Sequence, residues 1–194
     1  MSALPEIPWT GKDYLAFERE SDEKHEFVDG VVYAMTGASE RHNLVTGSAY
    51  ASLYSQLRKR PCRVYPSDMR VKVAQTGIYT YPDISIVCEP PRFEDDRQDT
   101  LLNPVVLIEV LSPSTENYDR GKKFQHYRTL ESLQEYLLIA QDSPHIEHYR
   151  RQADNQWLLT DVAQADAVIE LPSIACTLAL ADVYEKVDFE EAES

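Results

Sequence analysis

The run Val105-Val106-Leu107-Ile108-Glu109-Val110-Leu111 constrains this chain more than any other segment. It is apolar on both faces of an extended strand except at one position. A strand buried on both faces belongs in the interior of a sheet. Glu109 is therefore an acid in an apolar strand, and an isolated carboxylate there costs several kcal/mol unless it is paired or bound to a cation. A second strand candidate, Pro82–Cys88, opens with another carboxylate, Asp83. Two acids that converge from neighbouring strands suit Mg²⁺ or Mn²⁺, which take oxygen ligands and retain several waters.

Other elements follow from local pattern. Thr10 as N-cap, with Asp13 three residues on, predicts a short helix to about Arg19. Asp29-Gly30 between Lys24–Val28 and Val31–Met35 predicts a hairpin. Leu44, Val45, Ala49, Leu53 and Leu57 recur near helical spacing and predict the longest helix from Ser39 to about Lys59. Further strands are expected at Cys62–Tyr65, Met69–Val73, Gln134–Ala140 and Ala167–Leu171. A second hairpin, His145–Arg151 with Gln156–Val162, turns at Asp154-Asn155. Helices are expected from Glu116 or Tyr118 to Leu130, and from Leu180 to Val187. The stretch Glu89–Asn103, rich in Pro, Asp and Arg, reads as a surface loop. Tyr14, Phe17 and Phe27 are assigned to the core. The order implies an α/β fold with a mixed central sheet flanked by helices.

The chain has 194 residues and is 43% hydrophobic, enough for one domain spanning 1–194, with its core at about 10–187 and an acidic tail at 188–194. No apolar run approaches the roughly 20 residues of a membrane span. The stretch Met1–Pro8 has no basic and apolar regions of a signal peptide, so the expected location is the cytoplasm. The three cysteines, Cys62, Cys88 and Cys176, are distant and odd in number. They read as buried or half-buried thiols, neither a zinc site nor a disulfide framework. The formal net charge of −14 opposes non-specific attraction to nucleic acid. Two local basic groups interrupt it: Arg58, Lys59, Arg60, Arg63, Arg70 and Lys72, and Arg120, Lys122 and Lys123.

An ordered set of motifs resembles the Uma2 family, once a domain of unknown function and now labelled restriction endonuclease-like. The set is Tyr81-Pro82-Asp83-Ile84-Ser85-Ile86-Val87, Leu107-Ile108-Glu109-Val110-Leu111-Ser112-Pro113-Ser114-Thr115, Asp119-Arg120-Gly121-Lys122-Lys123-Phe124-Gln125-His126-Tyr127 and Glu135-Tyr136-Leu137-Leu138-Ile139. His25-Glu26-Phe27-Val28-Asp29-Gly30 and Arg41-His42-Asn43 extend it. The resemblance covers about Thr10 to Val187 and implies a restriction-endonuclease-like PD-(D/E)xK core. Asp83 and Glu109 would then hold Mg²⁺ or Mn²⁺. The superfold places a lysine two residues after the Glu, but Leu111 stands there. The matching lysine is Lys123 in the following helix, with Lys122 its neighbour and competitor. Glu26 matches an additional acid near the metal, so Asp83, Glu109 and Glu26 form the expected metal set. His42 and Lys122 are expected to contact substrate, and Asp68 is a further acidic candidate.

Each residue also has a plainer reading. Pro82-Asp83 is a common strand-opening turn. Glu109 could pair with a buried Arg or Lys. Lys123 could be a surface lysine paired with Asp119, Glu26 a solvated charge and His42 a helix-surface histidine. Tyr127 and Tyr136 read as packing residues. The sequence contains no Gly-x-Ser-x-Gly elbow and no glycine-rich phosphate loop. The expected function is metal-dependent endonucleolytic hydrolysis of DNA phosphodiester bonds. The competing expectation is a non-catalytic binding or regulatory module on the same fold, with a homodimer suggested by analogy to superfold members whose paired sites cut two strands. A hydrolase for a smaller phosphate ester needs the same site without an extended basic groove.

Overall fold

The computed structural model describes residues 2–3 and 9–189. Its elements in chain order begin with β1 (Ser2–Ala3), α1 (Gly11–Glu18), β2 (His25–Val28), β3 (Val31–Ala34) and α2 (Glu40–Leu57). Then come β4 (Arg63–Pro66), β5 (Arg70–Val73), β6 (Ile78–Thr80), β7 (Ile84–Val87), β8 (Thr100–Leu101) and β9 (Val106–Leu111). A helical segment follows in three parts: α3 (Glu116–Tyr118), a π-helical turn (Asp119–Lys123) and α4 (Phe124–Tyr127). The chain continues with β10 (Glu135–Ala140), β11 (Ile146–Arg151), β12 (Trp157–Val162), β13 (Val168–Leu171), β14 (Cys176–Ala179) and α5 (Leu180–Val183).

The single central sheet expected from sequence is corrected to two six-stranded sheets and a small hairpin. The first sheet runs β1-β3-β2-β6-β5-β8, the second β12-β11-β10-β9-β7-β4, and β13 pairs with β14. Both large sheets are mixed, because β5 pairs with β8 and β9 with β10 in parallel. β9 lies in the interior of the second sheet, with all six residues buried. Its side chains alternate between two cores. Val106, Ile108 and Val110 pack with Val45, Ala49, Leu53 and Leu57 of α2 and with the β13–β14 hairpin. Leu107 and Leu111 face Val71, Val73 and Ile78 of the first sheet and Tyr127 beside α4's end. The outer face of the first sheet is covered by α1, where Tyr14 packs on Phe27 and Tyr79.

Local chemistry accounts for the boundaries. Thr10 and Asp13 form a reciprocal capping box at α1. Ser39 Oγ accepts from the His42 amide at the start of α2. Asp29 and Gly30 both take positive φ, 51° and 84°, as a two-residue hairpin turn requires. Other expectations are corrected. The Glu89–Asn103 loop contains β8, and Thr100, Leu101 and Asn103 are buried. The helix expected to reach Leu130 ends at Tyr127, and the one expected to reach Val187 is a single turn. β6, β8 and β14 are too short for their pattern to stand out. Cys62 and Cys88 are joined by a disulfide, and only Cys176 is a free thiol. The two sulfurs meet because β4 and β7 pair antiparallel with Arg63 opposite Val87, which sets Cys62 opposite Cys88 one step further. Among the described residues no helix is long and apolar enough to cross a membrane. Residues 1, 4–8 and 190–194, on which the readings of the N-terminal stretch and most of the acidic tail fall, lie outside the described residues.

Candidate active site

The two large sheets part at one end to leave a cleft of about 660 Å³, walled by the start of α2, the Ser112–Thr115 turn and the π-helical turn. Asp83 and Glu109 meet on its floor. β7 and β9 pair antiparallel with Ile84 opposite Ile108, so Asp83 and Glu109 oppose each other one step beyond. Directly opposed residues send their side chains to the same face. Asp83 Oδ2 is fastened to β9, accepting from the Val110 amide at 2.7 Å.

Glu26 arrives from the first sheet. In β2 it alternates with Phe27, so Phe27 packs under α1 while Glu26 points between the sheets. Lys123 enters from the π-helical turn. Its ammonium lies 2.9 Å from Glu109 Oε1, 3.0 Å from Glu26 Oε1 and 3.5 Å from Asp119 Oδ1. All four residues are buried: Glu26 is 2% exposed, Asp119 3%, Glu109 4% and Lys123 5%. Tyr127 donates to Glu109 Oε1 at 2.8 Å, and its hydroxyl also lies 2.9 Å from Thr80 Oγ1. The Tyr81 amide donates to Glu26 Oε1, whereas Glu26 Oε2 is buried with no hydrogen-bond partner. His42 Nε2 stands 3.3 Å from Asp83 Oδ2.

The electrostatics follow from this crowding. Burial pushes the Glu109 carboxyl well above the usual range; Lys123 opposes the shift, while Asp119, Asp83 and Glu26 reinforce it. Burial works against the charge on Lys123, but Glu109, Glu26, Tyr127 and Asp119 outweigh it and hold the ammonium protonated. Burial likewise disfavours the His42 imidazolium, and Asp83, the Val110 carbonyl and Asp119 more than compensate. Three carboxylates around one ammonium leave an excess of negative charge, which either a proton or an additional cation must relieve.

Among the described residues no three His, Cys, Asp or Glu side chains are gathered closely enough to enclose a metal ion. The donor set still fits a hard divalent ion held by two carboxylates and water, the usual manner for Mg²⁺. Lys123 already lies between Glu109 and Glu26, which leaves Asp83 and Glu109 as the pair that would hold such an ion. The orphaned Glu26 oxygen points to a further missing partner.

Of the expected residues, Asp83, Glu109, Glu26, Lys123 and His42 all line the cleft. Lys122 does not: it is exposed and outside the cleft lining. Asp68 pairs with Lys24 and its side chain is 80% exposed, outside the group. Asp119 and Tyr127, read from sequence as a surface partner and a packing residue, are part of the buried network. Their spacing of four residues on either side of Lys123 was the available signal. Tyr118, whose hydroxyl is buried without a partner, also lines the cleft.

Comparisons with known proteins agree with this architecture. The model of the Uma2 family, described as "Putative restriction endonuclease", matches residues 12–181. Two proteins of Synechocystis are similar, both described as uncharacterized. The protein sll1609 is 40% identical over 161 residues, covering 83% of this chain and 91% of that protein. The protein slr1290 is 36% identical over 180 residues, covering 92% of each. A crystal structure from Anabaena variabilis, described as "a putative nuclease belonging to DUF820", superposes with a TM-score of 0.74 at 21% identity, over 91% of this chain and 98% of that one. At that identity the likeness speaks for the fold. The family match spans most of the chain and includes every strand that frames the cleft, and on that ground the protein belongs to the Uma2 family.

Proposed function

We propose that this protein is a metal-dependent endonuclease that hydrolyses DNA phosphodiester bonds on a PD-(D/E)xK core. The observation that carries the reading is the excess of buried carboxylate around Lys123, on the floor of a cleft open to solvent. Asp83 and Glu109 would hold Mg²⁺ or Mn²⁺, with Glu26 supporting the site. When bound, such an ion lowers the pKa of a coordinated water and offsets charge developing on the phosphate.

The chain's own residues have separable parts. Lys123, an ammonium held among Glu109, Glu26 and Asp119, acts through those carboxylates by keeping Glu109 and Glu26 in position, and not as a base. Glu26 Oε2, an acceptor with no partner, can orient a water molecule. His42 and the Val110 amide both meet Asp83 Oδ2 and together fix that carboxylate's rotamer. Tyr127 does the same for Glu109.

The test pairs Mn²⁺ titration by calorimetry with cleavage of plasmid and oligonucleotide DNA, using Asp83→Ala and Glu109→Gln. Both variants are expected to keep the circular-dichroism spectrum and lose ion binding and cleavage. Cleavage that survives both substitutions sinks the assignment. The net charge of −14 favours a second reading, a non-catalytic binding or regulatory module on this fold. That reading predicts no DNA affinity at any salt concentration, with or without Mn²⁺.

A further inference from the structure

The depth and lining of the cleft bear on which form of nucleic acid it can take. The groups assigned to the reaction lie on its floor and are almost wholly buried, with Glu26, Glu109 and Lys123 each 5% exposed or less. A phosphate must therefore enter the cleft to reach them. Its volume, about 660 Å³, is that of a pocket for a small molecule. A continuous duplex is stiff, with its bases stacked and paired, whereas an unpaired strand can bend to carry one phosphate down to buried groups. Enzymes facing this obstacle act on single strands or extrude the nucleotide from the stack.

The lining agrees. Among the described residues five carboxylates face the cleft, from Glu23, Glu26, Asp83, Glu109 and Asp119, against the ammonium groups of Lys24 and Lys123 and the His42 imidazole. Lys24 pairs with Asp68, Lys123 is enclosed by three carboxylates, and His42 meets Asp83. Among the described residues no arginine lines the cleft. Duplex DNA carries a negative charge about every 1.7 Å and is ordinarily gripped by rows of Lys and Arg. The walls instead offer neutral hydrogen-bonding groups, among them Asn43 and Thr46 on α2, Ser114 and Gln141, together with the ring of Tyr118. Hydroxyls, amides and an aromatic face suit exposed base edges and a stacked base.

Resting on the nuclease reading above, we infer that the site takes unpaired nucleic acid, a free strand end or an unpaired stretch within a duplex, and excludes continuous duplex. Affinity is expected to depend on few phosphate contacts, so log K should fall with log salt at a slope of about −1 to −2, far shallower than for a duplex-gripping protein.

The experiment compares fluorescein-labelled oligothymidylate with a relaxed, covalently closed duplex minicircle, which has neither ends nor loops, by anisotropy in Ca²⁺, and follows cleavage of both in Mg²⁺. A minicircle carrying a mismatched bubble is the third substrate. The expected results are at least tenfold tighter binding of the single strand, cutting of the third substrate within its bubble, and an intact fully paired minicircle. An Asn43→Ala/Ser114→Ala double variant should weaken single-strand binding at least fivefold with Mn²⁺ affinity unchanged. Equal binding or cutting of the fully paired minicircle, with cutting abolished by Asp83→Ala, overturns this inference and leaves the nuclease assignment standing. Absence of binding and cutting for every substrate overturns both.

Discussion

At the scale of single residues the cleft floor is an unequal charge group, and its members should differ sharply in their effect on stability. Lys123 is the sole ammonium among Glu26, Glu109 and Asp119. Removing it leaves buried carboxylates without compensation. Lys123→Met is therefore expected to destabilise the metal-free protein by about 3–5 kcal/mol. Glu109→Gln keeps an acceptor for Tyr127 and Lys123 while deleting one of the surplus charges, so its effect should lie within about 1 kcal/mol. Urea denaturation in chelator measures both; a Glu109→Gln loss as large as that of Lys123→Met would show that no surplus exists. Tyr127→Phe takes the hydroxyl from Glu109 and from Thr80 Oγ1, both buried, and should cost about 1–3 kcal/mol. Identities at this scale were readable from the chain. The motif selected Asp83, Glu109 and Lys123, and spacing paired Lys123 with Asp119; that Glu26 shares the ammonium was not readable, because it is nearly a hundred residues away and belongs to another sheet.

At the scale of elements, the start of α2 and the end of α1 each rest on a nameable contact. Ser39 Oγ caps α2 and also reaches Gln141 at the cleft wall. Ser39→Ala is expected to lose about 0.5–2 kcal/mol, read from the urea midpoint with an unchanged slope. Arg19, which follows α1, grips Asp99 through Nε and Nη2 and Asp95 through the same Nη2. Its guanidinium holds the Asp99 carboxyl below the usual carboxylate range, against the opposing effect of burial and with help from Arg70. A carboxyl whose pKa is depressed on folding stabilises above its unfolded value, and that stability is lost as pH falls through the folded value. Asp99→Asn should thus lose roughly 0.5–1 kcal/mol at neutral pH, a modest figure because the side chain is partly solvated. The gap to the native protein should narrow as pH drops below about 4. Thermal melts across pH check this; a gap constant down to strong acid would mean the pair contributes through shape alone. The hairpin at Asp29-Gly30 was legible because its turn chemistry is local. The π-helical turn was not, since a segment of five residues is too short for its shift in side-chain period to stand out.

Across the whole molecule, the decisive feature is the meeting of two sheets where sequence pattern implied one. β6 and β8 contribute only three and two residues, too few for periodicity, yet they complete the first sheet and bury Thr80 and Thr100. The same assembly joins Cys62 to Cys88 across β4 and β7. Denatured without reductant, the protein is expected to show one reactive thiol per chain, that of Cys176, and three after reduction. A thiol titration with a chromogenic disulfide decides it, and three thiols before reduction would contradict the pairing. Closing a loop of 26 residues stabilises by roughly 3 kcal/mol in the chain-entropy account, so reductant should lower the urea midpoint.

The chain by itself determined the strand that carries Glu109, the long helix and both hairpins, each written in short-range terms: a period, a turn dipeptide or an unbroken apolar run. Glu26 and the lysine pair Lys122-Lys123 were legible only through the family resemblance. Tertiary structure alone decided that Lys123 and not Lys122 turns inward, that Glu26 shares its ammonium, that two cysteines pair and that the acids are buried at the floor of a cleft. Those outcomes depend on strand register and on packing between segments far apart in sequence, which no local pattern encodes.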